Sequence, residues 1–252
     1  MKKFLLLASG CWLLVGGSLA NAEPAALSPF DEANSKYQAG DFKSAAGLYE
    51  KMIQDGQATP AVYYNLGNAH FRSGRKGKAL IAYERALKAL PRDEDLRWNV
   101  HVLKSVLPDR IEARDESLTL FWLRLAAGTF TMDEMSLGLT VLLGLWFGVA
   151  LLSSFYAAFR PSGRGIQALV FLIFVGASVL FAFKWVDTKD PRVVILEKEA
   201  YARNGPSERE TKAFLLHEGA EAKVLDESKE WLYVILKNKN SGWIQRKTCE
   251  VI

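Results

Sequence analysis

Residues 64–74 read YNLGNAHFRSG and run on at 75–91 into RKGKALIAYERALKALP. Apolar or aromatic residues recur at Tyr63, Leu66, Ala69 and His70, and after Gly74 at Ala79, Tyr83, Ala86 and Leu90. Both runs have the period of a helix. Gly74 is placed where a first helix ends in left-handed backbone, and Pro91 where a second must stop. Gly67 and Ala79 leave room for close approach, with Tyr83 filling the space beside them, so the stretch predicts a helical hairpin. A shift of 34 residues lays Gly40, Ala45, Tyr49 and Glu50 onto Gly74, Ala79, Tyr83 and Glu84, which makes the hairpin one copy of a repeat.

The pattern resembles the tetratricopeptide repeat. Tyr63, Leu66, Gly67, His70, Ala79, Tyr83, Ala86 and Pro91 occupy its signature positions, with His70 for the usual tyrosine and Tyr63 for the usual tryptophan. The preceding copy keeps Ala33, Gly40, Phe42, Ala45 and Tyr49, but has Gln57 where the closing proline belongs. A third copy opens at DEDLRWNVHVL and stops near Leu107, as a capping helix would. The resemblance implies an inner groove that binds a peptide or a partner's helix, lined by Asn34, Tyr37, Gln38, Tyr64, Asn65, Asn68, Phe71, Arg72, Trp98 and Asn99. Amides and aromatics suit an extended backbone. Alternatively, Asn65 and Asn99 tie neighbouring helices together. Phe30, Asp95 and Asn99 stand where carboxylate-binding grooves carry cations, which argues against a C-terminal carboxylate as ligand.

The N-terminus, MKKFLLLASGCWLLVGGSLANAEPAA, has two lysines, an apolar run and small residues before Glu23. Residues 1–22 are therefore expected to be a secretory signal peptide, the run being short for a membrane anchor. Cleavage would leave Cys249 alone, without an intramolecular disulfide framework. Beside Val251 it reads as a small buried residue rather than a nucleophile. The formal charge is +4 over 252 residues, yet segment 23–107 carries 12 basic and 10 acidic residues and segment 186–252 carries 12 of each. Neither part is a polycation, which argues against nucleic acid as a partner.

Residues 137–159 contain 23 positions without a charge, and residues 166–185 contain 20 with only Lys184 charged. Each is long enough to span a hydrocarbon core. We expect membrane helices at 136–159 and 166–185 joined by the loop RPSGRG at 160–165, whose Arg160 and Arg164 place it in the cytoplasm. The repeats at 23–107 and the C-terminal module at 192–252 then both face the periplasm, with a linker at 108–135. Within that linker, SLTLFWLRLAAGTF is expected to lie along the membrane surface. Gly138, Gly144, Gly148 and Gly176 allow close helix packing, within the hairpin or against a partner.

After Arg192 short strands take over: 193–196, 214–216, 223–225, 231–236, 243–245 and the terminal CEVI, separated by Gly, Asn and Ser turns. Both alternate sets of 231–236 are apolar, as a small closed barrel requires. The segment resembles bacterial SH3 domains at Gly219, Trp231, Gly242 and Trp243, which implies cell-wall peptide binding, protein binding or bracing of a neighbour. Trp231 reads as core or as a ligand platform. The fold class expected is multidomain: all-α tetratricopeptide hairpins, a two-helix transmembrane hairpin and a small all-β SH3-like barrel.

His70, His101 and His217 lie in no metal-ligand or nucleophile motif, and no glycine-rich phosphate loop is present. The expectation is a protein without catalytic residues, metal or cofactor. The order of parts resembles, over the whole chain, the E-type members of the Bat family, named for aerotolerance in Bacteroides. That resemblance implies a membrane-anchored adaptor working with von Willebrand factor A domain membrane proteins and, indirectly, a MoxR-type ATPase, in envelope maturation or stress tolerance. The alternative is a cell-wall sensor whose SH3-like domain binds peptidoglycan.

Overall fold

The computed structural model describes residues 27–109, 117–156 and 159–252. The signal peptide expected at 1–22 lies outside them.

Five helices open the described chain: α1 (Pro29–Gln38), α2 (Phe42–Gln54), α3 (Pro60–Arg72), α4 (Lys76–Ala89) and α5 (Glu94–Ser105). Ser28, Asp41, Thr59 and Asp93 cap four of them, each side chain accepting from a backbone N–H of the first turn. α1 with α2 and α3 with α4 form the two expected hairpins, and α5 is the capping helix. Gly40 and Gly74 end α1 and α3 alike, at φ +81° and +80°. The N–H that follows each, of Asp41 and Arg75, reaches back to Lys36 and His70 carbonyls at 2.9 Å. At Gly67 the close approach is literal: a Cβ there would lie 2.4 Å from Cδ1 and Cε1 of Tyr83. Tyr49 and Tyr83, at equivalent positions, are the largest fully buried side chains.

Helix α6 (Leu118–Thr129) lies within the linker, and α7 (Met132–Phe155) and α8 (Arg160–Lys189) follow. Both α7 and α8 are long and apolar enough to cross a membrane. None of α7's residues is buried within the protein, which is consistent with membrane association. Lys184 Nζ donates to the carbonyls of Ala127 and Phe130, which sets the end of α8 beside the start of α7 and against α6. The two long helices are thus antiparallel, and the chain returns to the side it left. The expected loop at 160–165 is corrected: the segment is the first turn and a half of α8. Pro161 lies in the helix's first turn, where a missing N–H costs nothing, so the chain reverses before Arg160 instead. α7 starts four residues earlier, and α8 ends four later, than hydropathy alone implied.

The C-terminal strands are β1 (Arg192–Ile195), β2 (Glu199–Arg203), β3 (Lys212–His217), β4 (Glu221–Ser228), β5 (Trp231–Ile235), β6 (Ser241–Gln245) and β7 (Cys249–Val251). They form one antiparallel sheet in the order β3-β2-β6-β5-β4-β1-β7. The hydrogen-bond ladder does not close, and β3 and β7 are its two edges; the expected closed barrel is an open sheet with register shifts at Ala202/Arg203 and Val224/Asp226. Val193, Ile195, Leu216, Leu232, Val234 and Ile244 fill its core. Strand β2 was not among the expected strands, since the residues it buries are Ala200 and Ala202, whose small side chains barely register as an apolar alternation. Trp231 and Trp243 are half-buried and lie outside the buried core.

The repeats and the sheet form one body. Val194 of β1 is buried among α4 and α5 residues, and the Leu107 side chain lies over Gly219, where a Cβ would meet it at 2.4 Å. Arg85 pairs with Glu250 at 2.8 Å, and Asp109 accepts from the His217 N–H at 2.7 Å. Lys104 reaches Glu84 at 2.9 Å and Glu221 at 2.7 Å, joining both helices to β4. Burial works against the Lys104 ammonium, but the two carboxylates outweigh it and raise its pKa. Glu221 answers in kind: burial disfavours its charge, and Lys104 more than offsets this, holding the carboxyl below its usual range.

Candidate protein-binding groove

The ten residues expected to line the groove sit on alternate helices: Asn34, Tyr37 and Gln38 on α1, Tyr64, Asn65, Asn68, Phe71 and Arg72 on α3, and Trp98 and Asn99 on α5. The repeat pairs them as Asn34 with Asn68, Tyr37 with Phe71, Gln38 with Arg72, Tyr64 with Trp98 and Asn65 with Asn99.

The amides stitch these helices side by side. Asn34 Oδ1 accepts from the Tyr49 hydroxyl at 2.6 Å and from Asn65 Nδ2 at 3.0 Å. One repeat on, Asn68 Oδ1 accepts from the Tyr83 hydroxyl at 2.7 Å and from Asn99 Nδ2 at 3.3 Å. Asn99 Nδ2 also donates to the Tyr64 hydroxyl at 3.1 Å. Each carbonyl oxygen has two lone pairs, so those of Asn34 and Asn68 are saturated by the protein itself. Asn65 and Asn99 thus tie neighbouring helices, one of the two roles their position allowed. Tyr49 and Tyr83 are the donors that completed the unit, and sequence reading had given them only a packing role. Their signal was present: asparagine and tyrosine recur together at the repeat spacing.

What faces outward is a row of flat and cationic groups. Trp98 is 65% exposed, Gln38 and Arg72 are exposed, and Tyr37, Tyr64 and Phe71 are half-buried. Tyr37 meets Phe42 edge to face at 5.1 Å, and the Arg72 guanidinium lies 4.7 Å over the same Phe42 ring. These contacts hold Tyr37 and Arg72 against Phe42, and exposed aromatic and guanidinium groups of this kind suit contact with a peptide.

Two ionisable groups need placing. His70 is 2% exposed beneath the hairpin; its Nε2 lies 3.3 Å from Glu50 and its Nδ1 has no partner. Burial, with the nearby Arg75 and Lys78 charges, pushes its pKa down to about 4 against the pull of Glu50, so the ring is neutral at physiological pH. Burial pushes the Cys249 thiol up to about 11, as befits a packing residue.

The class defined by this geometry is a helical-hairpin repeat whose alternate helices α1, α3 and α5 are tied side by side by their amides. Residues 30–94 match the tetratricopeptide repeat family model, which spans α1 to α4 and the turn into α5. Families of this kind are interaction scaffolds, and the match makes proteins the partner class. No curated protein matches the chain.

Proposed function

We propose that the chain is a membrane-anchored adaptor that captures an extended protein segment along α1, α3 and α5. The row of Tyr37, Gln38, Phe71, Arg72 and Trp98 carries this reading, because its amide neighbours are bonded to one another while these side chains meet solvent. The anchor is the α7–α8 hairpin. Arg160 and Arg164 mark its turn as the cytoplasmic end, which leaves the repeats and the sheet together in the periplasm. The C-terminal sheet is read as an SH3-like module that braces the repeats through β1 and the β3–β4 turn. The order of parts, resembling E-type Bat proteins, gives the company: von Willebrand factor A domain membrane proteins and, through them, a MoxR-type ATPase, in envelope maturation or stress tolerance.

The test is a photoreactive residue in place of Trp98 in the full chain, irradiated in native membranes. A covalent adduct with a von Willebrand factor A domain protein, lost when Arg72 and Phe71 are changed to Ala, is the expected result. Absence of protein adducts, together with retention on purified cell wall through the sheet, would replace this reading with a peptidoglycan sensor. Reporter fusions after Ile252 should report a periplasmic C-terminus, and fusions at Ser162 a cytoplasmic position. The opposite pattern overturns the orientation.

A further inference from the structure

Helix α6 has two apolar faces. It packs against α8, and its covered side carries Ala127, which is buried, with Leu120 and Leu123, which are half-buried. Leu118, Phe121, Trp122 and Leu125 fall at i, i+3, i+4 and i+7, and all four are exposed. At about 100° per residue the two sets point in opposite directions. A helix in water on its outer side would present polar residues there, and α6 presents its largest apolar ones.

The position of α6 says what covers the outer stripe. Lys184 Nζ donates to the Ala127 carbonyl at 2.8 Å and to that of Phe130, and Lys184 stands where the apolar run of α8 ends. Only Phe130 and Thr131 separate α6 from α7. α6 is therefore held where the apolar surface of the hairpin meets the head. That surface carries the stripe onward, since Phe130, Leu137 and Val141 leading into α7, and Trp185 at the matching end of α8, are exposed as well. One cover that takes the stripe and the hairpin together is a lipid leaflet. Trp122 and Trp185 then share the level at which tryptophan is favoured, with its ring in the apolar boundary and its N–H among headgroups.

We propose that α6 is a third membrane-contact element beside the hairpin, with Leu118, Phe121, Trp122 and Leu125 set into the acyl boundary of the leaflet on the head's side. Insertion of this kind reaches ~5–10 Å below the headgroups. It seats more than α6. Leu125 and Gly128 share a cleft with Pro91 and Arg97, and Arg92 pairs with Glu134 in the first turn of α7, so the α4–α5 turn of the repeats is held at the same level. The inference deepens the anchor reading and rests on α7 and α8 being membrane-embedded, but not on the groove having a partner.

The experiment uses the full chain in phosphatidylcholine vesicles, with Cys11→Ser and Cys249→Ser, and a nitroxide label on Leu118→Cys, Phe121→Cys, Trp122→Cys or Leu125→Cys in turn. Collision of each label with oxygen, which concentrates in lipid, is compared with collision with a water-soluble nickel chelate. Leu169→Cys, exposed in the middle of α8, marks the hairpin, and Leu225→Cys, exposed on β4, marks an apolar residue in water. Each stripe label should give an oxygen-to-nickel ratio several times that at Leu225 and below that at Leu169. Stripe labels as open to nickel as Leu225, with Leu169 shielded from it, overturn the proposal while leaving the hairpin in the membrane. Nickel access at Leu169 overturns the anchor reading and the proposal with it. Stripe labels shielded from both reagents would mean that protein covers α6, a second copy or a neighbouring helix, and also overturn it. The unsubstituted chain gives a second measurement: a phosphatidylcholine with a photoreactive group on its acyl chain should leave adducts on the tryptic peptide 115–124, and the absence of adducts there, with adducts on α8, overturns the proposal.

Discussion

The backbone N–H of Gly77 donates to Glu218 Oε1 at 2.9 Å across 141 residues of sequence. Helix α4 has Arg75 at its N-cap with no side-chain cap bond, so its first turn has an unfilled need for an acceptor. The β3–β4 turn of the C-terminal sheet supplies it, in the form of a carboxylate at the positive end of the helix. A helix of the repeats is thus finished by a residue that lies beyond the α7–α8 hairpin.

Gly77 also has no room to spare, since a Cβ there would lie 2.5 Å from the Ile195 carbonyl oxygen. Gly77→Val should push the sheet off α4 and lower the stability of the head by ~1–3 kcal/mol, read as a lower melting temperature. Gly47, in α2, has nothing within 4 Å of its would-be Cβ, and Gly47→Ala should stabilise by about 0.5–1 kcal/mol. If both substitutions shift the melt alike, the docked interface is wrong.

Gly67→Ala tests the hairpin crossing itself. The new methyl would overlap the buried Tyr83 ring, which is held at its other end by Asn68 and cannot swing away. A loss of ~1–3 kcal/mol is expected in the denaturant midpoint. An unchanged midpoint would mean that α3 and α4 pack in another register.

The amide ladder makes a prediction about coupling. Asn68→Ala removes the acceptor of the Tyr83 hydroxyl and strands a buried polar group, at a cost of ~1–3 kcal/mol. Tyr83→Phe in the same chain removes the stranded hydroxyl, so the double variant should be more stable than the sum of the two single losses. A double-mutant cycle with no coupling energy would show that the pair does not interact.

His70 makes the head acid-sensitive. Its pKa falls from 6.5 to about 4 on folding, so the unfolded chain binds more protons between those values. The stability it contributes is complete above pH 6.5 and falls as pH drops towards 4, below which both states are protonated. The full loss is about 3 kcal/mol. His70→Gln should flatten this limb of the stability profile, while a profile as steep as the parent's would assign the sensitivity elsewhere.

Much of this architecture is encoded locally. The hairpins, their glycine ends and the capping helix follow from a 34-residue spacing and a helical period, which short stretches carry whole. The two long apolar helices follow from hydropathy, because an apolar run of about 20 residues is visible in the local sequence alone. The strand order, the burial of Ala200 and Ala202 and the open edges at β3 and β7 do not, because alanine alternation is weak and register depends on partners far along the chain. Pro161 illustrates the same limit: alone it signals a turn, and only the neighbouring helix shows that it begins one. The groove divides in the same way. That Asn34, Asn65, Asn68 and Asn99 share the first helices of successive repeats is written in their spacing. That Asn34 and Asn68 spend both carbonyl lone pairs inside the protein, while Arg72 and Trp98 stay exposed, is settled by distances between helices. So is the seat of Gly77 against Ile195 and Glu218, because a contact between residues 141 apart exists only once two separately folded surfaces meet.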